Sequence, residues 1–488
     1  MAWHRHGACG SAADVVVHRQ QRKIRADLHQ HANRTNGIST TTWTGQTSPT
    51  YAGVHEIDDS TNWVYVKNTG LASYVMGPWN NPNLPKNQGT STSVYRFPRG
   101  VAGVTNSTTI KTNLTNMGAI GHLADGVSID NQSDGFSYSF SHSQDASPMA
   151  GIGSGDGVWN RDALPNEGIS FDYALNHPQP NGDYHSHANP IGVRYLLGDN
   201  VNYDSSTKIY SENTNTTTFK HSPIVGWLSD GLPLYGPYGY SNPTNPASGV
   251  HRMISGYVLR NGQYGTTVLS NRTTLPAWAA LAQGRVATLA STNYGPTTNA
   301  TYALGHFMED YDYLGDHGYA QGVTNADGTF FDLNQYNIRW CVTPEYPNGT
   351  WAYFVSIKAD GTPWYPYNVG RWFFSNPTGG TTTTTVMNSD TPLAQYFKGA
   401  TNLQEVLSAP NVNSGNGNIT LTWSAVEGGT YQVNVSTNLT AWTTNTALTT
   451  TATNNSVSEV ETGSATSNSK RFYRTARSGV ASFDSAGY

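Results

Sequence analysis

The chain has 488 residues, enough for two or three domains and for a core that needs no covalent staples. Only 12% of them are charged and the formal net charge is −5, so no basic face for nucleic acid is implied. No apolar run approaches the roughly 20 residues that span a bilayer as a helix, and with two cysteines, Cys9 and Cys341, disulfides cannot be the organising principle.

The polarity comes from Asn, Thr, Ser and Gly. Together with 50 Gly, 24 Pro and 29 Tyr it suits short strands joined by many turns, as in exported proteins. The expected class is therefore mainly β. It comprises a large β-rich main domain with few helices, then a small immunoglobulin-like or fibronectin-like β-sandwich. Residues 1–40 are rich in Arg and His, with only Val15, Val16 and Val17 as an apolar patch. A secretory signal needs a longer apolar region and a small-residue cleavage site, so this stretch reads as disordered or non-native.

The main domain is expected over residues 41–372. Residues 62–67 (NWVYVK) alternate polar and apolar positions as a strand does, and residues 118–130 (GAIGHLADGVSID) read as strand, turn and strand. The glycine-rich run 151–157 (GIGSGDG) lacks the Gly-Lys-Ser/Thr ending of a phosphate loop and is read as an ordinary loop. Glu167, Asp172 and His177 follow, leading into residues 181–190 (NGDYHSHANP). Residues 199–220 are polar and read as a long surface loop. Residues 221–240 (HSPIVGWLSDGLPLYGPYGY) combine an apolar strand with Asp-Gly and Gly-Pro turns. The best helix is 275–289 (LPAWAALAQGRVATL), with Thr274 as cap and Pro276 in the first turn. After Trp372 a Thr/Gly-rich linker, 373–406, is expected, and from residue 407 to 488 the strand pattern of the sandwich.

The central candidate site is His185 and His187. Side chains at i and i+2 of a strand leave the same face, so both imidazoles can converge on one ion. Imidazole favours zinc or copper. His177 and His221 are the candidate further ligands, while Glu167 and Tyr184 are candidate catalytic groups beside them. Asp183 is a candidate acceptor for a histidine ring. Glu309, Asp310 and Asp312 in 306–316 (HFMEDYDYLGD) form the strongest acidic cluster. If extended, Asp310 and Asp312 share a face with His306, which suits calcium, or a general acid or base drawn from Glu309 and Asp310. Tyr235, Tyr238, Trp364, Tyr365 and Tyr367 lie in Gly/Pro-rich loops and are candidates for stacking on a sugar or another flat ligand. There is no Gly-x-Ser-x-Gly elbow and no His-Glu-x-x-His helix, so a serine hydrolase or a thermolysin-like protease would be hard to build here.

Five ordered motifs resemble those of the bacterial YHYH family: GDYHSH (182–187), PIVGWLSDGLPLYGPYGY (223–240), GHFMEDYDY (305–313), TPEYPNGTWAY (343–353) and PWYPY (363–367). The third signature position, usually tyrosine, is Ser186 here. Residues 332–339 (DLNQYNIR) depart from the acid and Asn-Gly-Arg more usual in the family. The tail, with 431–442 (YQVNVSTNLTAW), resembles C-terminal modules of exported Verrucomicrobia proteins. The resemblance implies an exported bacterial protein with a β-rich architecture. Two functions are therefore weighed: a metalloprotein that is a zinc hydrolase or copper-dependent oxidoreductase, or a non-catalytic cell-surface or matrix protein that binds glycan and uses the metal structurally.

Overall fold

The computed structural model describes residues 53–68, 70–72, 74, 76–77, 94–100, 113–147, 150–204, 206–382, 394–398, 407–424, 429–451, 456–467 and 470–480. The stretch 1–40, with Cys9, lies outside them.

An eight-stranded mixed sheet organises the main domain. In chain order its strands are β1 (Gly121–Leu123), β2 (Ser128–Ile129), β3 (His177–Pro178), β4 (Tyr184–Ser186), β5 (Ile224–Leu228), β6 (Pro233–Tyr235), β7 (Ile338–Cys341) and β8 (Thr350–Phe354). Across the sheet they run β7-β8-β6-β5-β1-β2-β4-β3. The β1–β2 hairpin turns at Gly126, whose φ of 91° is a conformation that favours glycine, and the β5–β6 hairpin turns at Gly231 in the same way (φ 82°). Asp-Gly is the dipeptide that such turns select, so both hairpins were readable from the text. β5 is buried along its whole length, which explains its continuous apolar run.

A five-stranded sheet lies beside it, in the order Gly380–Thr382, Val94–Pro98, Trp63–Asn68, Val54–Asp59, Ala394–Lys398. Its two edge strands come from the span expected to be linker. Gly380–Thr382 pairs with Val94–Pro98, and Ala394–Lys398 pairs with Val54–Asp59. Threonine repeats look featureless as a sequence, yet β-branched residues suit an edge strand. Residues 199–220 are likewise not one loop. They contain a hairpin, Val201–Tyr203 with Tyr210–Glu212, braced where the buried Arg194 guanidinium meets Asp199 at 2.6 Å and reaches Glu212.

The expected helix is shorter than its pattern, spanning Ala277–Gln283. Pro276 occupies the N-cap, and Gly284 ends the helix in the left-handed region (φ 62°). Thr274 does not cap it; it bridges to Thr288 and accepts from Arg260 instead. Packing of such elements fills one large core. Trp159 within it is fully buried and its indole N–H reaches the Asn293 carbonyl at 3.1 Å. Emptying that site costs about 3–5 kcal/mol.

The tail forms two three-stranded antiparallel sheets, Asn411–Val412/Ile419–Ser424/Ser456–Glu461 and Thr443–Thr451/Gly429–Ser436/Phe472–Val480. Leu421, Trp423, Tyr431, Val433, Leu448 and Val457 form its separate core.

Candidate metal centre

β3 and β4 are antiparallel neighbours with His177 opposite His185, and His187 follows two residues on. Cross-strand partners share a face, as do positions i and i+2, so the three rings meet. The Nε2 atoms of His177 and His185 are 2.9 Å apart, as are those of His185 and His187. All three residues are buried. The opposite face of β4 is occupied differently. Tyr184 donates to Asp172 at 2.6 Å, and Ser186 donates to the Ala188 carbonyl at 2.8 Å.

The far nitrogen of each ring decides what meets at the centre. His187 Nδ1 lies 2.6 Å from the Asn131 carbonyl and His185 Nδ1 lies 3.2 Å from the Asp183 carbonyl, so both must donate. His177 Nδ1 is 2.7 Å from Ser170 Oγ, whose single proton is already given to the Glu167 carbonyl. Ser170 therefore accepts from His177. Each neutral ring thus carries its proton on Nδ1, and three Nε2 lone pairs face one another at contact distance. That arrangement is repulsive unless a cation stands among them. A proton is a poor candidate. Burial lowers the ring pKa of all three, to about 4 for His185 and His187, with neighbouring imidazoles pushing His177 and His187 down further.

Glu167 closes the site. It ends the short helix Ala163–Glu167, which starts at Asp162, whose carboxylate accepts from the Leu164 N–H. Asp162 in turn receives the Tyr367 hydroxyl on both oxygens at 2.8 Å. One carboxylate oxygen of Glu167 lies 3.4 Å from His187 Nε2 and 3.8 Å from His177 Nε2. Its side chain is 28% exposed, the solvent-facing member of the group. Burial, with Asp134 nearby, raises its carboxyl to about 8. Phe171 walls the other side, parallel to the His187 ring with centroids 6.2 Å apart.

Several expected groups lie elsewhere. His221 is not a ligand of this centre. Its ring sits among Tyr235, Tyr240 and Phe354, with Nδ1 on the Ser222 carbonyl at 2.8 Å. Tyr184 is turned away and committed to Asp172, which also accepts from the N–H groups of Gly77, Ala174 and Asn176. The acidic cluster does not converge either, because Met308–Asp310 is a 3₁₀ turn rather than a strand. Asp310 is held bidentately by Arg272 at 2.7 Å, Asp312 faces His317 (3.1 Å) and Arg260 (3.6 Å), and Glu309 accepts from Asn160 and Gln283. These separate partners leave no shared set of oxygens for calcium.

The five aromatic candidates do not gather in one site; each is engaged with its own partners, and Tyr238 also lines a cavity of about 570 Å³ with Phe219 and Arg252. Tyr235 bonds Thr343 and Glu345, Tyr238 donates to Glu212, and Tyr365 stacks on Tyr311 with centroids 4.4 Å apart. Trp364 donates to the Tyr257 carbonyl at 2.8 Å, and Tyr367 is spent on Asp162. Cys341 is a free, buried thiol.

Glu309 has a measurable consequence. Burial raises its carboxyl to about 7 against donors that pull it down. A raised folded-state value means that its contribution to stability is complete below the unfolded value near 4.5 and is lost as pH climbs toward 7. We expect Glu309→Gln to remove about 3 kcal/mol of the fall in unfolding free energy over that window. Urea unfolding at pH 5 and pH 7.5 measures it, and parallel pH profiles for both proteins would contradict it.

Asn131, Ser170 and Phe171 were not anticipated. Asn131 acts through a backbone carbonyl, which leaves no trace in side-chain chemistry, whereas Ser170 lies seven residues from His177 and was legible in principle. A model of the family described as YHYH protein matches residues 95–370. No curated protein and no solved structure matches the chain.

Proposed function

The chain belongs to the YHYH protein family, and on that footing we propose that it is an exported metalloprotein in which His177, His185 and His187 hold a zinc ion for hydrolytic chemistry. One observation carries the reading: three buried Nε2 lone pairs aimed at one point, each with its proton held on the far nitrogen. Neutral imidazole is the form that binds a transition metal. Ser170 Oγ and the Asp183 and Asn131 carbonyls accept the Nδ1–H of the three rings, the usual arrangement around ligating histidines. Three histidines plus an open position is also the donor set of catalytic zinc, which lowers the pKa of a bound water to about 7. An ion among the imidazoles would lower the raised Glu167 carboxyl, and the resulting carboxylate could then take that proton.

Copper suits imidazole equally, but the residue that would support copper-dependent oxidation, Tyr184, hydrogen-bonds Asp172 on the other face of β4. A purely structural ion is the reading to set against this one. Glu167 favours catalysis: the carboxylate oxygen 3.4 Å from His187 Nε2 is buried and accepts no hydrogen bond, although the side chain as a whole is partly exposed, so it is placed to exchange a proton.

Zinc titration against a chromogenic chelator tests the assignment, with Ser170→Ala beside the native chain. The expected result is one tight site per chain, weakened 10–100-fold in the variant, because His177 then loses the acceptor that fixes its tautomer. Equal affinity in both proteins, or no site, would count against it.

A further inference from the structure

A second site lies along the same sheet. The register pairs His122 with Ser128, Ser128 with His185 and His185 with His177, so a row of four side chains crosses strands β1, β2, β4 and β3 on one face. The triad occupies one end of that row. At the other end is a cavity of about 190 Å³ where this sheet meets the five-stranded one. His122, Ser128, Asp183, Asn68, Tyr95 and Ala119 help line it, and the exposed Ala119 marks its opening to solvent.

The polar lining is short of partners. Ser128 Oγ and His122 Nδ1 are buried side-chain atoms that make no hydrogen bond. Each such atom is unfavourable for as long as nothing answers it. Because His122 and Ser128 are cross-strand partners, their side chains are neighbours on one face of the sheet. Asn68 gives its side-chain oxygen to the Gly70 N–H at 2.8 Å, so its amide N–H groups remain to donate. Tyr95 contributes only a ring, since its hydroxyl is taken by Ser229 at 2.5 Å; the ring is tilted against His122, with centroids 4.2 Å apart. No Lys or Arg lines the cavity, while the acidic residue Asp183 does.

That lining selects a chemistry. An anion would meet a carboxylate with no compensating cation and is rejected. An apolar guest would leave His122 and Ser128 as costly as before. A ligand with adjacent hydroxyls, each both donor and acceptor, can answer His122, Ser128, Asn68 and Asp183 together while resting on the Tyr95 ring. We propose that this cavity binds a neutral polyol, of the size and chemistry of a single sugar unit, through His122, Ser128 and Asp183. The site adjoins the proposed zinc centre but shares no side chain with it: Asp183 meets His185 only through its backbone carbonyl, which Asp183→Asn leaves in place.

The test is calorimetric titration of the full chain with four probes, D-glucose, D-galactose, N-acetyl-D-glucosamine and glycerol, and with sodium acetate as the anion. Ser128→Ala and Asp183→Asn are measured alongside, and each variant is checked for a native melting curve. The expected result is saturable binding of at least one polyol, unchanged after zinc is stripped with a chelator and weakened about tenfold by either substitution, the equivalent of one hydrogen bond. Binding of acetate alone, saturable polyol binding indifferent to both substitutions, or no saturable heat from any of the four, as for a cavity holding only water, would overturn the proposal. Loss of zinc binding would not touch it.

Discussion

Replacing His185 and His187 together with alanine will leave the purified chain without stoichiometric zinc, whereas the native chain retains one ion through gel filtration. The size of the effect follows from the donor count. One imidazole of three survives, and Glu167, which approaches the Nε2 atoms of His177 and His187, loses half of that pairing. A site able to compete with a chelator needs three or four donors arranged together, and the single remaining imidazole, with Glu167 beside it, does not supply them. The fold should tolerate the change better than most buried truncations. The metal-free triad is itself unfavourable, with Nε2 atoms packed at 2.9 Å, so removing two rings relieves repulsion while it opens a cavity. Elemental analysis gives the stoichiometry, and thermal unfolding with and without chelator separates loss of metal from loss of structure. Native-like zinc content in the double variant would refute the assignment.

Glu167→Gln is the complementary experiment, with metal retained and chemistry lost. The amide keeps the shape and can still face the ion, but it cannot accept a proton at neutral pH. General-base assistance is worth about 10²–10⁴-fold in rate, so hydrolysis of p-nitrophenyl acetate by the zinc-loaded chain should fall by that order at unchanged zinc content. The helix that carries Glu167 is set by Asp162 and Tyr367 rather than by Glu167 itself, so the substitution leaves the scaffold in place. Equal rates in the two proteins would mean that Glu167 moves no proton and that the ion is structural.

Much of this was legible because the relevant physics is local. His185 and His187 converge since a strand has a period of two, and 118–130 and 221–240 became hairpins because Asp-Gly accepts the turn conformations. What failed depended on partners remote in the chain. The acids of 306–316 looked like a cation site until Arg272 and Arg260 took Asp310 and Asp312, from 38 and about 50 residues away. Tyr367 looked free until its hydroxyl met Asp162, 205 residues earlier. His221 opens the strand β5 segment much as His177 opens β3, and the text has no means of showing that the sheet order separates β5 from β4 by two strands. Periodicity reports which face a side chain takes, and only the register reports what waits there.

The central claim is that three neutral imidazoles share one ion, and X-ray absorption at the zinc edge of the loaded native chain tests it most directly. The account predicts a first shell of three nitrogens and one light oxygen donor at about 2.0–2.2 Å, with the outer-shell scattering of imidazole rings. A shell of oxygens alone, without that imidazole signature, would contradict it.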